Sequence, residues 1–169
     1  LGIHVFSGLE CDIRRDGSMD LADDALAQLD FVVAGVHSYM NLEPAEMTGR
    51  LLRAIENPHV CAIGHPTGRE LLRRDAFPFD FEQVARAAAR NGVWFEINSS
   101  PERLDLDAPL IRQAQALGAK FVVSTDSHHP KHLANMRFGV SMARRGWLEA
   151  ADVVNTYPLE QFRSAIRRN

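Results

Sequence analysis

Cysteine is scarce in this sequence. Cys11 and Cys61 are its two cysteines among 169 residues, and they do not form a Cys-x-x-Cys pair. Two cysteines are too few for a disulfide framework, and this usage is typical of a reducing compartment. We therefore predict two buried free thiols and a cytoplasmic location.

An excess of positive charge is also missing. Against 19 Lys and Arg stand 22 Asp and Glu, which gives a formal net charge of −3. This balance excludes a domain that binds nucleic acid by overall charge alone, so any such affinity must be local. No apolar run approaches the roughly 18 residues that span a bilayer, and the first residues lack the pattern of a secretory signal. Neither membrane insertion nor secretion is expected.

The rest of the composition is that of an ordinary globular domain, with 46% hydrophobic and 24% charged residues. Short runs rich in Val, Ile and Phe alternate with longer stretches of helical periodicity, a pattern typical of βα units around a parallel sheet. The pattern predicts strands at Val5–Ile13, Phe31–Val36, Val60–Ile63, Val93–Ile97 and Phe121–Ser124. It predicts helices at Ala22–Leu29, Pro44–Glu56, Phe81–Arg90, Ala108–Leu117, Met136–Arg145 and Leu159–Arg168. We therefore predict one α/β domain over residues 1–169.

Helix faces and helix ends support this interpretation. Met47, Leu51 and Ala54 fall on one stripe of the second helix, which is predicted to cover the sheet. Gly92 and Gly118 each follow a predicted helix and precede an apolar run. A left-handed residue at these points would end the helix and turn the chain into the next strand.

Ionisable residues lie within or just beyond the carboxyl-terminal half of each of the five predicted strands. In chain order they are Glu10, His37, His65, Glu96 and the pair Asp126 and His128. In a parallel barrel these ends open on one face, where functional sites are built. An acid or imidazole that continues an apolar strand is desolvated and needs a partner. A shared metal ion would satisfy all of them together.

Taken singly, these residues also have ordinary interpretations. His37 and His65 could be core histidines bonded to backbone, and Glu10 could form a salt bridge at a strand end. For Glu96 we favour the ordinary interpretation, a buried acid that holds loop backbone in place.

Asp126 and His128 give the strongest single signal, because an Asp-x-His sequence after a strand places two kinds of metal ligand on one loop. The other four histidines lack such a position. They are predicted to be ordinary, with an auxiliary ligand role as the alternative for one of them, His129. These four are His4, His59, His129 and His132.

The ligand types indicate the metal and the reaction. Imidazole and carboxylate groups without thiolates suit zinc, manganese or iron(II). A carboxylate such as Glu10 can bridge two cations, and a pair about 3.5–4 Å apart can activate water and neutralise charge on a phosphoryl group. Phosphoester hydrolysis is therefore the expected reaction.

Two residues are candidates for binding the substrate. Arg69 lies in the loop after His65, where its guanidinium could bind a phosphate. Asn98, at the end of the fourth strand, is the other. The arginines on predicted helices, Arg50 among them, are instead expected on solvated faces.

Four short motifs follow one another along the chain: Gly8-Leu9-Glu10, Val36-His37-Ser38, Gly64-His65-Pro66-Thr67-Gly68-Arg69 and Thr125-Asp126-Ser127-His128. In this order and spacing they resemble the later motifs of the PHP (polymerase and histidinol phosphatase) superfamily. The segments from Phe95 to Leu106 and from Asn135 to Val140 are similar to those of the PHP domain at the C-terminus of bacterial family-X DNA polymerases. The likeness spans essentially the whole chain.

The resemblance implies a distorted, TIM-like seven-stranded βα barrel with up to three divalent metal ions, Mn²⁺ being expected and Zn²⁺ or Fe²⁺ the alternatives. It implies a 3′-5′ exonuclease with DNA 3′ ends and an upstream polymerase domain as partners. Glu10 would bridge two metals, one of them completed by His37 and His65. Asp126 would bind the other bridged metal, and His128 the third. Glu10, Asp126 and His128 would be catalytic, acting through water that the metals activate.

The sequence also departs from the superfamily pattern. The first His-x-His motif, and the Asp and His ligands that follow it, have no counterpart in residues 1–169. We therefore expect the C-terminal two-thirds of a PHP domain, with about two βα units of the barrel missing. Two alternative functions stay open: a small-molecule phosphatase of the histidinol-phosphatase type, and a structural module of a polymerase that has lost catalysis.

Overall fold

The computed structural model describes residues 2–166, which form five β-strands and six α-helices. The strands are β1 Gly8–Asp12, β2 Phe31–Gly35, β3 Ala62–Ile63, β4 Trp94–Asn98 and β5 Phe121–Ser124. The helices are α1 Asp23–Leu26, α2 Pro44–Glu56, α3 Phe81–Asn91, α4 Ala108–Ala116, α5 Met136–Arg145 and α6 Leu159–Ile166. Short 3₁₀ helices cover Pro130–Asn135, Ala150–Asp152 and Val154–Thr156.

All five strands belong to one parallel sheet with the order β1-β2-β3-β4-β5. Neighbouring strands in the sheet are also neighbours along the chain, as in a βα barrel. The predicted α/β class is therefore confirmed, and the carboxyl ends of all strands lie at one edge. A closed barrel of seven strands stays a prediction.

Predicted element boundaries agree best where helices pack on the sheet. The bounds of α2, α5 and β5 are those predicted, whereas β1 begins at Gly8 instead of Val5. Ile3 and Val5 are 73% and 76% exposed and lie outside the ladder. The predicted last helix, Leu159–Arg168, is helical to Ile166, and its remaining residues lie outside the described range.

The core lies between the sheet and its helices. All five residues of β4 are buried, as expected for a central parallel strand covered on both faces. On α2, Met47, Leu51 and Ala54 are buried, which confirms the predicted stripe. Gly92 and Gly118 have φ angles of 65° and 86°, so both helices end through the left-handed residues that were predicted.

Arg50 on α2 contradicts the prediction of a solvated face, because it is 2% exposed. Its Nε atom donates to the carbonyl oxygens of Ile13 and Arg14, at 3.1 and 2.9 Å. Its Nη1 atom donates to those of Ser38 and Tyr39, at 2.9 and 3.3 Å. Arg50 therefore joins the loop after β1 to the loop after β2.

The two edges of the sheet differ. At β5, the Asn155 side chain accepts a hydrogen bond from Val123 N at 2.7 Å and donates one to Val123 O at 3.0 Å. Phe121 also forms a parallel bridge with Val153. At the other edge, β1 pairs within residues 2–166 with β2 alone, and Leu9 is 47% exposed.

Cys11 and Cys61 are both buried and are not joined in a disulfide, as predicted. In the described part of the chain, no helix is both long enough and apolar enough to cross a bilayer.

Candidate metal centre

Glu10, His37 and His65 converge at the carboxyl edge of the sheet. Glu10 Oε1 lies 2.8 Å from His65 Nε2 and 3.3 Å from His37 Nε2, and the two Nε2 atoms are 3.2 Å apart. The residues come from β1, the end of β2 and the end of β3, whose parallel register sets them side by side. This is the convergence that the sequence predicts.

The donor set fits a divalent metal ion. Bonds of about 2.1 Å at tetrahedral angles place neighbouring ligand atoms about 3.4 Å apart, close to the three observed distances. Two imidazole nitrogens and one carboxylate oxygen also match zinc, manganese or iron(II). Glu10, His37 and His65 therefore can hold one metal ion.

Space for these side chains depends on Gly35, the last residue of β2. A Cβ atom there would lie 2.7 Å from His37 Cε1, 2.9 Å from Glu10 Oε1 and 3.0 Å from His65 Cε1. Such approaches are too close for any of the three to stay in place. The centre therefore requires a residue without a side chain at position 35.

The backbone is strained at two of the predicted ligands. His65 and Asp126 have φ angles of 30° and 49°, in the left-handed region that residues with a Cβ atom adopt at a cost of about 1–3 kcal/mol. Such strain is concentrated at functional sites. At these positions it turns the chain sharply just after β3 and β5.

The three ligands also control one another's charge. Hydrogen bonds with His37, and then with His65, lower the pKa of Glu10 far below its ordinary value. The bond to Glu10 is likewise the main reason why the pKa of His37 is raised. Glu10 is therefore a carboxylate at any physiological pH, the form that binds a cation.

Glu96 is the buried acid that the sequence analysis favoured. Its Oε2 atom accepts a hydrogen bond from the backbone N of His65 at 2.5 Å, and Oε1 accepts one from Ser124 Oγ. Burial is the main cause of its raised pKa. Glu96 thus stabilises the strained turn at His65 through a hydrogen bond to the backbone. It is not part of the ligand cluster.

Asp126 and His128 lie together, apart from the cluster of Glu10, His37 and His65. His128 Nδ1 is 3.0 Å from Asp126 O and 3.6 Å from Asp126 Oδ1, and the His128 side chain is 81% exposed. The structure therefore brings three of the five predicted ligands to one point. The metal-binding roles of Asp126 and His128 stay predictions.

Asn98 connects the two parts of the site. It is fully buried, and its Nδ2 atom donates to Glu96 Oε2 at 3.3 Å and to Asp126 Oδ2 at 3.0 Å. Its Oδ1 atom accepts from Ser100 N at 2.9 Å. Asn98 is therefore a buried hydrogen-bond partner of Asp126. Its predicted contact with substrate stays a prediction.

The Arg69 guanidinium forms hydrogen bonds and an ion pair within the protein. Its Nε donates to Arg103 O at 3.0 Å, its Nη1 pairs with Asp107 Oδ2 at 3.2 Å, and its Nη2 donates to Leu104 O. These contacts hold the loop after β4. Its predicted phosphate contact stays a prediction.

Arg103 lies beside Asp126 and was not among the predicted site residues. Its Nε lies 3.8 Å from Asp126 Oδ2, and its buried Nη1 atom has no hydrogen-bond partner in the described structure. Together with Asp126, His128 and Ser100 it lines an open cleft. Two signals in the sequence point to it: its position in the loop after β4, on the edge that carries the ligands, and its place in the segment from Phe95 to Leu106 that resembles the PHP domain of family-X polymerases.

The other histidines lie outside the ligand cluster, as predicted. His4 is in contact with Arg163 at 3.1 Å. The rings of His129 and His132 lie 5.9 Å apart beyond Asp126 and His128. An auxiliary ligand role for His129 stays a prediction.

Three similar proteins are named as a DNA polymerase/exonuclease or as probable phosphatases. A DNA polymerase/3′-5′ exonuclease PolX of Bacillus subtilis is 37% identical over 165 residues, which are 98% of this chain and 29% of that protein. A probable phosphatase of Syntrophotalea carbinolica is 37% identical over 102 residues, which are 59% of this chain and 40% of that protein. A probable phosphatase of a Thermoanaerobacter species is 30% identical over 166 residues, which are 92% of this chain and 65% of that protein.

The chain thus spans less than two-thirds of the length of each of these relatives. No protein-family model matches the sequence. The motif order, the parallel sheet and the relatives nevertheless agree with one another. The chain belongs to the PHP superfamily and is related to the PHP domain of family-X DNA polymerases.

Proposed function

We propose that this chain is the phosphoesterase domain of a metal-dependent hydrolase. The observation that carries the proposal is the meeting of Glu10 Oε1, His65 Nε2 and His37 Nε2 within 3.3 Å of one another. A divalent ion held there would activate water and neutralise charge on a phosphoryl group.

The protein's own groups would bind and orient the phosphoester. Arg103 lines the cleft beside Asp126, with its Nε 3.8 Å from Asp126 Oδ2, and a guanidinium suits a phosphate oxygen. Asp126, whose Oδ2 accepts a hydrogen bond from Asn98 Nδ2 at 3.0 Å, would bind a second cation. Glu10 stays ionised because His37 and His65 bond to it.

The finer proposal is a Mn²⁺-dependent 3′-5′ exonuclease that acts on DNA 3′ ends as part of a family-X DNA polymerase. Support comes from the Bacillus subtilis relative, which is named a DNA polymerase/3′-5′ exonuclease and matches 98% of this chain. With it we propose a single PHP domain over residues 1–169, a seven-stranded barrel in the complete domain, a polymerase domain as partner and a cytoplasmic location.

The test is hydrolysis of single-stranded and primer-template DNA labelled at the 5′ end, with Mn²⁺ and with EDTA. We expect stepwise shortening from the 3′ end with Mn²⁺ alone. Asp126→Asn should lower kcat/KM at least about 100-fold, the loss expected when several kcal/mol of charge stabilisation disappear. The matched control is Glu82→Gln, which removes a carboxylate that is 55% exposed on α3. If protein with bound Mn²⁺ leaves the DNA intact, the exonuclease proposal is wrong.

A small-molecule phosphatase is the second candidate, because two of the relatives are named probable phosphatases. The same preparations should then be given small phosphomonoesters. Hydrolysis of these at a higher kcat/KM than DNA, lost in Asp126→Asn, would favour this candidate over the exonuclease.

A further inference from the structure

Positive charge is concentrated in one segment of this chain. Residues 127–148 (the basic segment) contain no Asp or Glu, although the whole chain has a net charge of −3. The segment comprises the loop after β5, the 3₁₀ helix Pro130–Asn135, α5 and the turn after α5. It holds one lysine and three arginines, which are Lys131, Arg137, Arg144 and Arg145. A local basic surface is the kind of nucleic-acid site that the overall charge leaves open.

The four cations of the basic segment are not neutralised by carboxylates. All four residues are exposed, and within residues 2–166 none of their side chains forms an ion pair. The loops after β3 and β4 differ, because each of their arginines lies 2.8–3.6 Å from a carboxylate oxygen. These arginines are Arg69, Arg73, Arg74 and Arg103. The charge of the basic segment is therefore available to an external anion.

Helix α5 has one face on the sheet and the other in solvent. Gly139 is buried, and a Cβ atom there would lie 2.6 Å from Val123 Cγ1 of β5. Arg137, Val140 and Arg144 follow one another at helical spacing and are exposed. The two arginines lie about 10 Å apart along the helix axis. The exposed face is therefore a row of cations with an apolar side chain between them.

The basic segment begins at the cleft beside Asp126. Three of its residues, His128, His132 and Asn135, line this cleft. Asn135 immediately precedes α5, so Arg137 is the first cation of the helix beyond the cleft. An extended ligand that follows the exposed face of α5 therefore leads to Asp126.

An exposed aromatic ring lies at the far end of α5. Trp147 follows the helix and is 72% exposed, whereas Trp is highly buried on average. The Arg112 guanidinium carbon lies 4.7 Å from the centroid of the Trp147 ring, so one face of the indole is covered and the other is open. Cations beside exposed aromatic rings are typical of surfaces that bind single-stranded nucleic acid, because phosphates contact the charges and unpaired bases stack on the rings.

We propose that the basic segment is a binding surface for single-stranded nucleic acid that leads to the cleft beside Asp126. Arg137 and Arg144 contact phosphates, and Trp147 stacks on a base. The inference rests on the proposed function in one respect, that the cleft belongs to a phosphoesterase site. It makes the substrate a polymer, because a small phosphomonoester in the cleft would not reach Arg144.

Fluorescence anisotropy of a labelled oligothymidylate, titrated with the protein in EDTA at several salt concentrations, measures this binding without hydrolysis. Arg137→Gln combined with Arg144→Gln should weaken binding and remove two phosphate contacts. The slope of the logarithm of the association constant against the logarithm of the salt concentration should then become shallower by about 1.4.

The matched control is Arg86→Gln combined with Arg90→Gln, which removes the same charge from exposed positions on α3. It should leave the slope as in the unaltered protein. Equal slopes for the two double variants would overturn the proposal.

Trp147→Ala tests the base contact. It should weaken oligothymidylate binding about 5–150-fold, the loss of one stacked base, and leave the salt dependence unchanged. Trp147→Phe keeps an aromatic ring and should restore most of the affinity. Unchanged affinity in Trp147→Ala, or tighter binding of a DNA duplex than of the single strand by the unaltered protein, would overturn the proposal.

Vesicles of phosphatidylcholine and phosphatidylserine are the further comparison, because anionic lipids also attract exposed arginines. Binding of these vesicles but not of oligothymidylate would overturn the proposal. Oligothymidylate binding that depends on Arg137 and Arg144, in a protein that hydrolyses no phosphoester, would instead contradict the proposed function and leave this inference standing. Hydrolysis of small phosphomonoesters without any binding of oligothymidylate would overturn this inference and leave the phosphoesterase proposal standing.

Discussion

At the scale of single residues, the centre depends on Gly35, which has no side chain. Alanine there would place a Cβ atom 2.7–3.0 Å from atoms of His37, Glu10 and His65. We expect Gly35→Ala to lower Mn²⁺ affinity at least tenfold although every ligand is still present, because all three side chains must move. Titration calorimetry measures the change.

The control is Gly49→Ala on α2, where an added Cβ atom meets nothing within 4 Å. A glycine in a helix is less stable than alanine by about 0.5–1 kcal/mol. Gly49→Ala should therefore stabilise the protein slightly and leave Mn²⁺ affinity unchanged. Equal affinity in the two variants would show that the crowding at Gly35 has no effect on the centre.

The pair Glu10 and His37 makes the stability of the metal-free protein depend on pH. The pKa of Glu10 is lowered, so its contribution is full above about pH 4.3 and is lost as pH falls toward the lowered value. The pKa of His37 is raised, so its contribution is full below about pH 6.5 and is lost as pH rises through the raised value. The pair should thus stabilise most between about pH 4.3 and 6.5.

Urea unfolding in EDTA at several pH values measures this dependence. Glu10→Gln should reduce the loss of stability on both the acidic and the alkaline side of this pH range. The reason is that the substitution removes the carboxylate and, with it, the partner of His37. His59→Gln, outside the centre, should leave the pH dependence of stability unchanged. Identical pH profiles for Glu10→Gln and the unaltered protein would exclude the coupling.

The residues whose chemistry is unusual for a strand end could be predicted from the sequence. Glu10, His37 and His65 were predicted to meet because parallel strands end at one edge, and they do. Arg103 was not among the predicted site residues, because an arginine near a loop is ordinary in sequence. Its position beside Asp126 arises from a distance between two different loops, which one sequence does not contain.

At the scale of secondary-structure elements, Arg50 determines how the loops after β1 and β2 fit together. Its guanidinium bonds to backbone oxygens in both loops, and the residue is 2% exposed. Arg50→Ala would leave buried carbonyl groups without donors, so we expect a loss of about 3 kcal/mol in the free energy of unfolding.

Arg86→Ala on α3 is the matched control for urea unfolding. Arg86 is exposed and pairs with Glu82 one turn away, a contact that contributes about 0.3–0.5 kcal/mol. A cost for Arg50→Ala as small as the cost for Arg86→Ala would mean that the loops after β1 and β2 do not need this guanidinium.

The elements were predictable where periodicity and capping act locally, as in α2 and α5. The start of β1 was not, because Ile3 and Val5 continue an apolar pattern but have no strand beside them in the described structure. For Arg50 the signal was present in the sequence. It lies three residues after Met47 and four before Ala54, on the stripe that packs against the sheet.

At the scale of the whole molecule, one metal ion would join three strands. Its ligands come from β1, from the end of β2 and from the end of β3, and the unfolded chain does not hold them together. Mn²⁺ at about 100 times its Kd should therefore stabilise the fold by about 2.7 kcal/mol. In a domain of this size that raises Tm by about 5–10 °C.

Differential scanning calorimetry with Mn²⁺ and with EDTA measures this shift. His65→Ala should remove most of it, whereas His59→Ala should keep it. A shift of the same size in both variants would place the bound ion elsewhere in the molecule.

The Asn155 side chain has a consequence for how this sheet can extend. It occupies the N–H and C=O groups of Val123, so an incoming strand finds no free ladder at that point of β5. The edge of β1 carries a similar block at its carboxyl end alone, where Asp12 N donates to Asp20 Oδ1 and Asp12 O accepts from Asp20 N, both at 3.1 Å. The rest of β1 pairs within residues 2–166 with β2 alone. Growth of the sheet therefore has a direction: a further strand, from this polypeptide or from a neighbouring molecule, would be added beside β1.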